Sequence, residues 1–127
     1  MARSFADYQV LFDGGFTLDS ATGVSEKNLK FDVPEKFKIR NDSRKPILAF
    51  HAAVSKAAKF KVRINHREVL SWNLSADTTR GLWDPFNGSS AWPDGGNGFD
   101  PAPVDFMLTE GKVQFGQVVL WYQVEEE

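Results

Sequence analysis

Two indoles, Trp83 and Trp92, lie close together in the chain among Arg80, Asp84, Asn87 and Asp94. Sugar rings present apolar C–H faces that stack on indoles, while carboxylate, amide and guanidinium groups hydrogen-bond the surrounding hydroxyls. That set therefore has the chemistry of a site for a glycan or another small polar ligand. The same two indoles also carry enough apolar area to plug the end of a folded domain from inside, so a structural role stands beside the binding one.

Downstream, Gly95-Gly96-Asn97-Gly98-Phe99-Asp100 matches the Gly-Gly-x-Gly-x-Asp pattern of calcium-binding repeats. Asp94, Asn97 and Asp100 on a glycine-rich turn would give Ca2+ the oxygen ligands it prefers. The motif works between stacked tandem copies and this chain has one copy, so an open glycine turn is the competing reading. No other cofactor is implied. The chain has no cysteine, which removes disulfides, thiolate nucleophiles and Cys-based zinc sites together.

Catalytic patterns are thin. His51 lies in an apolar run and reads as a satisfied core or interface histidine, whereas His66 lies in a turn and reads as solvated. Neither belongs to His-Glu-x-x-His or stands beside a Gly-x-Ser-x-Gly elbow. Asp84, Asp94, Asp100 and Asp105 could meet across a cleft as a hydrolytic pair, yet any 17 acidic residues offer such pairs. Lys59, Lys61 and Arg63 share one face of an extended segment. They either attract an anionic partner or keep an edge strand from pairing with a neighbour. The expectation is a protein that is not an enzyme.

These residues must be held by strands. Phe60, Val62 and Ile64 alternate with Lys59, Lys61, Arg63 and Asn65, the period of two that places hydrophobes on one face and charge on the other. An extended run resumes at Val69, so residues 59–74 read as a hairpin closed at Asn65-His66. Ile47 to Val54 is apolar on both faces, as in a central strand sandwiched between layers, and Pro46 precedes it where no ladder donor is needed. Shorter strands are expected at Tyr8 to Phe12, Phe16 to Leu18, Leu29 to Val33, Phe37 to Arg40 and Val104 to Leu108. Val113 to Val124 is the longest candidate, with a bulge at Gly116. About eight or nine strands result, in an all-β, two-sheet antiparallel sandwich.

Residues 75–103 form the exception, with four of the six prolines, five of the ten glycines and two of the four tryptophans. Aromatic burial repays ordering entropy, so this stretch reads as an ordered binding loop, with a short strand around Leu82 to Phe86.

The run Lys59-Phe60-Lys61-Val62-Arg63-Ile64-Asn65-His66-Arg67-Glu68-Val69, taken with Gly111 to Gln123, resembles the galactose-binding-domain-like jelly rolls, a fold that many carbohydrate-binding modules share. His66 stands where the hairpin of such domains usually has glycine. The resemblance spans roughly residues 29–124 and implies the jelly-roll fold. It also implies that a sugar would bind at the loop ends or on a concave sheet face, without assigning individual ligand residues.

The 127 residues carry 15 basic and 17 acidic side chains and are 42% hydrophobic, as expected of one globular domain over residues 1–127. A net charge of −2 offers no footprint for a nucleic-acid backbone. No run approaches the ~18 apolar residues of a membrane span, so membrane insertion is not expected, and no secretory signal is seen. A cytoplasmic protein is the expectation, with a mature form whose signal has been cut away as the alternative. The leading functional reading is a lectin-like, carbohydrate-binding recognition module. The alternative is an assembly protein that buries a face carrying Trp121, Tyr122 and surplus phenylalanines in a homo-oligomer.

Overall fold

The computed structural model describes residues 3–34, 37–38, 45–91 and 101–126, with the side chains of 3–5, 38, 89–90 and 125–126 left aside. Trp92, Asp94, Asn97 and Asp100 lie outside the described residues, and with them the whole calcium motif.

The strands are β1 (Arg3–Phe12), β2 (Phe16–Asp19), β3 (Glu26–Phe31), β4 (Phe37–Lys38), β5 (Ile47–Val54), β6 (Ala58–Ile64), β7 (Arg67–Leu74), β8 (Thr78–Pro85), β9 (Ala102–Glu110), β10 (Lys112–Phe115) and β11 (Val118–Glu126). A single helical turn, α1 (Gly88–Ala91), follows β8. Among the described residues every pairing is antiparallel, in a seven-stranded and a four-stranded sheet. The fold is therefore the expected all-β sandwich. Among the described residues, no helix is long and apolar enough to cross a membrane.

Among the described residues eleven strands stand where about eight or nine were expected, partly because a break divides the run Val113 to Val124. Residues 3–19 pair with 112–126 along their length, and the ladder is interrupted at 13–15 on one side and 116–117 on the other, splitting β1 from β2 and β10 from β11. Gly116 makes the second break possible. Its N–H donates to the His51 carbonyl at 2.9 Å, and a Cβ there would lie 2.9 Å from the Cβ of His51. The expected bulge is thus a close approach of two backbones.

The hairpin at 59–74 forms as read, with Asn65 at φ 56° and His66 at φ 66°. Two consecutive positive φ angles describe a type I′ turn, which suits the twist of the flanking strands. Asn65 is buried and its side-chain amide donates to the Ala91 carbonyl at 2.9 Å, pinning α1 to the turn. His66 is exposed, as expected.

Two expectations need correction. Residues 75–103 are not one long loop, because β8 pairs with β5 along its whole length, Ile47 with Pro85 through Val54 with Thr78. The Gly and Pro content of the region disguised the alternation of Thr78 to Pro85. In addition, β6 is an interior strand of the sheet β3-β9-β6-β7, so Lys59, Lys61 and Arg63 do not guard an edge. They face acidic neighbours instead: Lys59 pairs with Glu110 and Lys61 with Glu68, each at 3.7 Å.

The core lies between the sheets. Phe50, Phe60, Phe106 and Phe115 meet mostly edge to face, with centroids 5.0 to 5.9 Å apart. Such geometry adds to the area term that dominates folding.

Candidate functional site

Period two also decides what the seven-stranded sheet shows to solvent. On β11, Val118, Leu120, Tyr122 and Val124 are buried, which turns Val119 and Trp121 outward. On β5, Leu48, Phe50, Ala52 and Val54 face the core, which turns Ile47, Ala49 and His51 outward. Register then assembles these residues into rows. Tyr8, Trp121, Ile47 and Pro85 lie side by side across β1, β11, β5 and β8, and Val10, Val119, Ala49 and Trp83 form the adjacent row.

The result is an apolar, aromatic face open to solvent. Trp83 is 64% exposed, Tyr8 54% and Val10 41%. Tyr8 meets Trp121 at 4.9 Å between ring centroids, and Trp83 stacks on Trp121 at 6.0 Å with planes 25° apart. Tyr8, Trp121 and Trp83 thus form one continuous aromatic ridge. β5 was expected to be covered on both faces, and among the described residues its outer face is not.

Two depressions border the ridge. The larger, about 490 Å³, also contains His51, Gly81 and Gln117. The smaller, about 280 Å³, contains Lys45, Ile47 and Gln123. Trp83 and Trp121 line both. The larger falls within the usual range of ~300–1,000 Å³ for small-molecule sites. Tyr122 touches the smaller one, and burial, with the Asp7 carboxylate, holds its phenol above the ordinary tyrosine range. His51 is exposed on this face, which corrects the core alternative of its reading as a satisfied core or interface histidine.

The residues expected to act together in 75–103 are separated by the same alternation. Trp83 points outward from β8, whereas Arg80, Leu82 and Asp84 take the opposite face. The Arg80 guanidinium lies 5.9 Å from the ring centre of Trp72 on β7. Asp84 lines a cleft of about 440 Å³ between β7 and β8, together with Lys45, Glu68, Ser71 and Asn87. Burial pushes the Asp84 carboxyl above its ordinary range, an effect that the neighbouring Trp72 indole partly offsets. The two do not reach strict hydrogen-bond geometry, since Trp72 Nε1 is buried with no partner at bonding distance and angle. Trp83 therefore shares a site with Tyr8 and Trp121, while Asp84 and Asn87 share the polar cleft. Among the described residues, no three His, Cys, Asp or Glu side chains gather as a metal site.

Sequence reasoning missed Tyr8 as a site residue and placed Trp121 in the assembly reading alone. The signal was present in Val118-Val119-Leu120-Trp121-Tyr122, apolar on both faces of one strand, just as in β5 beside it.

No protein-family model and no curated protein matches the sequence. In architecture the chain is similar to part of dimeric latent PorU from Porphyromonas gingivalis, with a TM-score of 0.59 and 14% identity over 97% of this chain and 13% of that one. It is similar to part of an uncharacterised Listeria monocytogenes protein in complex with glucose, magnesium and calcium, with a TM-score of 0.50 and 15% identity over 84% of this chain and 9% of that one. The carbohydrate-binding module CBM36, in complex with calcium and xylotriose, gives a TM-score of 0.48 and 9% identity over 92% of this chain and 97% of that one. The likeness is one of fold. The chain corresponds to a small fraction of the first two proteins.

Proposed function

We propose that this chain is a non-catalytic recognition module that binds a glycan on the outer face of its seven-stranded sheet. The observation that carries the reading is the exposed ridge of Tyr8, Trp121 and Trp83, flanked by two depressions that each bring polar side chains beside an indole. Indole and phenol rings stack on the C–H faces of pyranoses, and His51, Gln117, Lys45 and Gln123 stand where hydroxyls at the edges of such rings would lie.

The test is intrinsic tryptophan fluorescence titrated with a panel of polysaccharides, on the wild type, Trp83→Ala and Tyr8→Ala. Both side chains are more than half exposed, so the variants keep the fold. One glycan class is expected to produce a saturable change. Each variant is expected to lose roughly tenfold in affinity, the equivalent of ~1.4 kcal/mol. Unchanged affinity in both variants would rule the face out as the site.

A second reading rests on the aliphatic part of the same face. Val10, Val119 and Ile47 offer no hydrogen bonds, and an apolar sheet face also suits a second copy of the chain or another protein. Sedimentation velocity separates the two readings. A concentration-dependent dimer dispersed by Val119→Lys would favour assembly, and a concentration-independent monomer would remove it.

A further inference from the structure

We propose that the smaller depression selects an anionic sugar, one bearing a carboxylate or sulfate, with Lys45 as its cation. The inference rests on the glycan reading and names the class of glycan. Lys45 is half-buried where the chain enters β5, and Trp83 and Trp121 line the same depression. Its backbone is held in place by the next residue, since Pro46 is buried and its carbonyl accepts the Phe86 N–H at 3.0 Å. The ammonium makes no ion pair or hydrogen bond among the described residues. This contrasts with Lys59 and Lys61 on the other sheet, each matched with a glutamate.

The surroundings favour an anion over a neutral hydroxyl. Among the described residues neither depression is lined by a carboxylate, in a chain whose overall charge is −2. Asp7, next to Tyr8, takes the opposite face of β1. Lys45 also lines the cleft between β7 and β8 with Glu68 and Asp84, yet among the described residues it forms an ion pair with neither, and Glu68 is matched with Lys61. A half-buried cation beside an indole wall can form a charge-assisted hydrogen bond to an acidic group while the sugar ring stacks on the indole. A point charge on a flexible stem suits carboxylate and sulfate alike, so the two sources share one recognition chemistry.

The experiment titrates the chain with polygalacturonate, chondroitin sulfate and two neutral polymers, galactan and xylan, at low and at high salt. Wild type, Lys45→Gln and Lys45→Arg are compared. The expected result is at least a tenfold preference for one or both acidic polymers at low salt. That preference should shrink at high salt, be abolished in Lys45→Gln and persist in Lys45→Arg. Selective binding of polygalacturonate identifies a carboxylate and of chondroitin sulfate a sulfate. Equal affinity for acidic and neutral polymers, or a preference that survives in Lys45→Gln, would overturn the inference and leave the glycan reading standing. Failure of every polymer to bind would overturn both.

Discussion

The two sheets of this sandwich share one core and differ in what they turn to solvent. The four-stranded sheet presents Lys59, Lys61 and Arg63 between acidic strands, with Glu110 and Asp105 on β9 and Glu68 on β7 within its registers. Lys59 and Lys61 each pair with a glutamate, and Arg63 lies beside Glu68 and Asp105 in register. The seven-stranded sheet presents Tyr8, Val10, Trp83, Val119 and Trp121, with Lys45 and His51 flanking the two apolar rows on opposite sides. Both faces are built by the same period of two over the same core, so neither composition is forced by folding. A face that folding leaves free and that is nonetheless aromatic points to a ligand or partner.

The contrast can be broken most sharply by removing the centre of the ridge. Trp121→Ala deletes ring contacts to both Tyr8 and Trp83, each worth roughly 0.5–1.5 kcal/mol beyond area. Urea denaturation is expected to show a loss of about 1–3 kcal/mol, and a change below ~0.5 kcal/mol would mean that the ridge is not a packed unit. On the charged face the effect should be several times smaller. Lys61→Ala removes an ion pair at 3.7 Å whose glutamate is largely solvated, and such pairs contribute ~0.5 kcal/mol or less.

The smallest effect is a pH dependence. Burial first, and the Glu26 carboxylate second, raise the Asp105 carboxyl above its ordinary range, while His66 and Arg63 pull the other way. With the folded value above the unfolded one, the charged form is penalised in the native state. The penalty is full above the folded pKa and is relieved as pH falls toward the ordinary value of ~3.9. Asp105→Asn should therefore stabilise the protein at neutral pH, with the gain vanishing in acid. A gain that grows as pH falls would reverse the assignment.

Much of the fold could be read directly from residue order. Ile47 to Val54 forms a strand with the expected bounds, and the hairpin closes at Asn65-His66 where local pattern and turn chemistry place it, while the bulge expected at Gly116 is a break between two strands. Less of the site was legible. Trp83 was identified, but its partners were sought among chain neighbours, and strand alternation sends Arg80 and Asp84 to the opposite face.

The sequence by itself determined the period of two and the hairpin turn at Asn65-His66, because these depend on contacts and dihedral preferences a few residues long. Which strands lie side by side was decided only in the tertiary structure. Tyr8, Trp83 and Trp121 come from the start, middle and end of the chain, and their rings meet because the registers of β1 on β11, β11 on β5 and β5 on β8 bring them together. Those registers are set by burial of the inner faces in a shared core. The outer face follows as its complement, and no local stretch of sequence contains it.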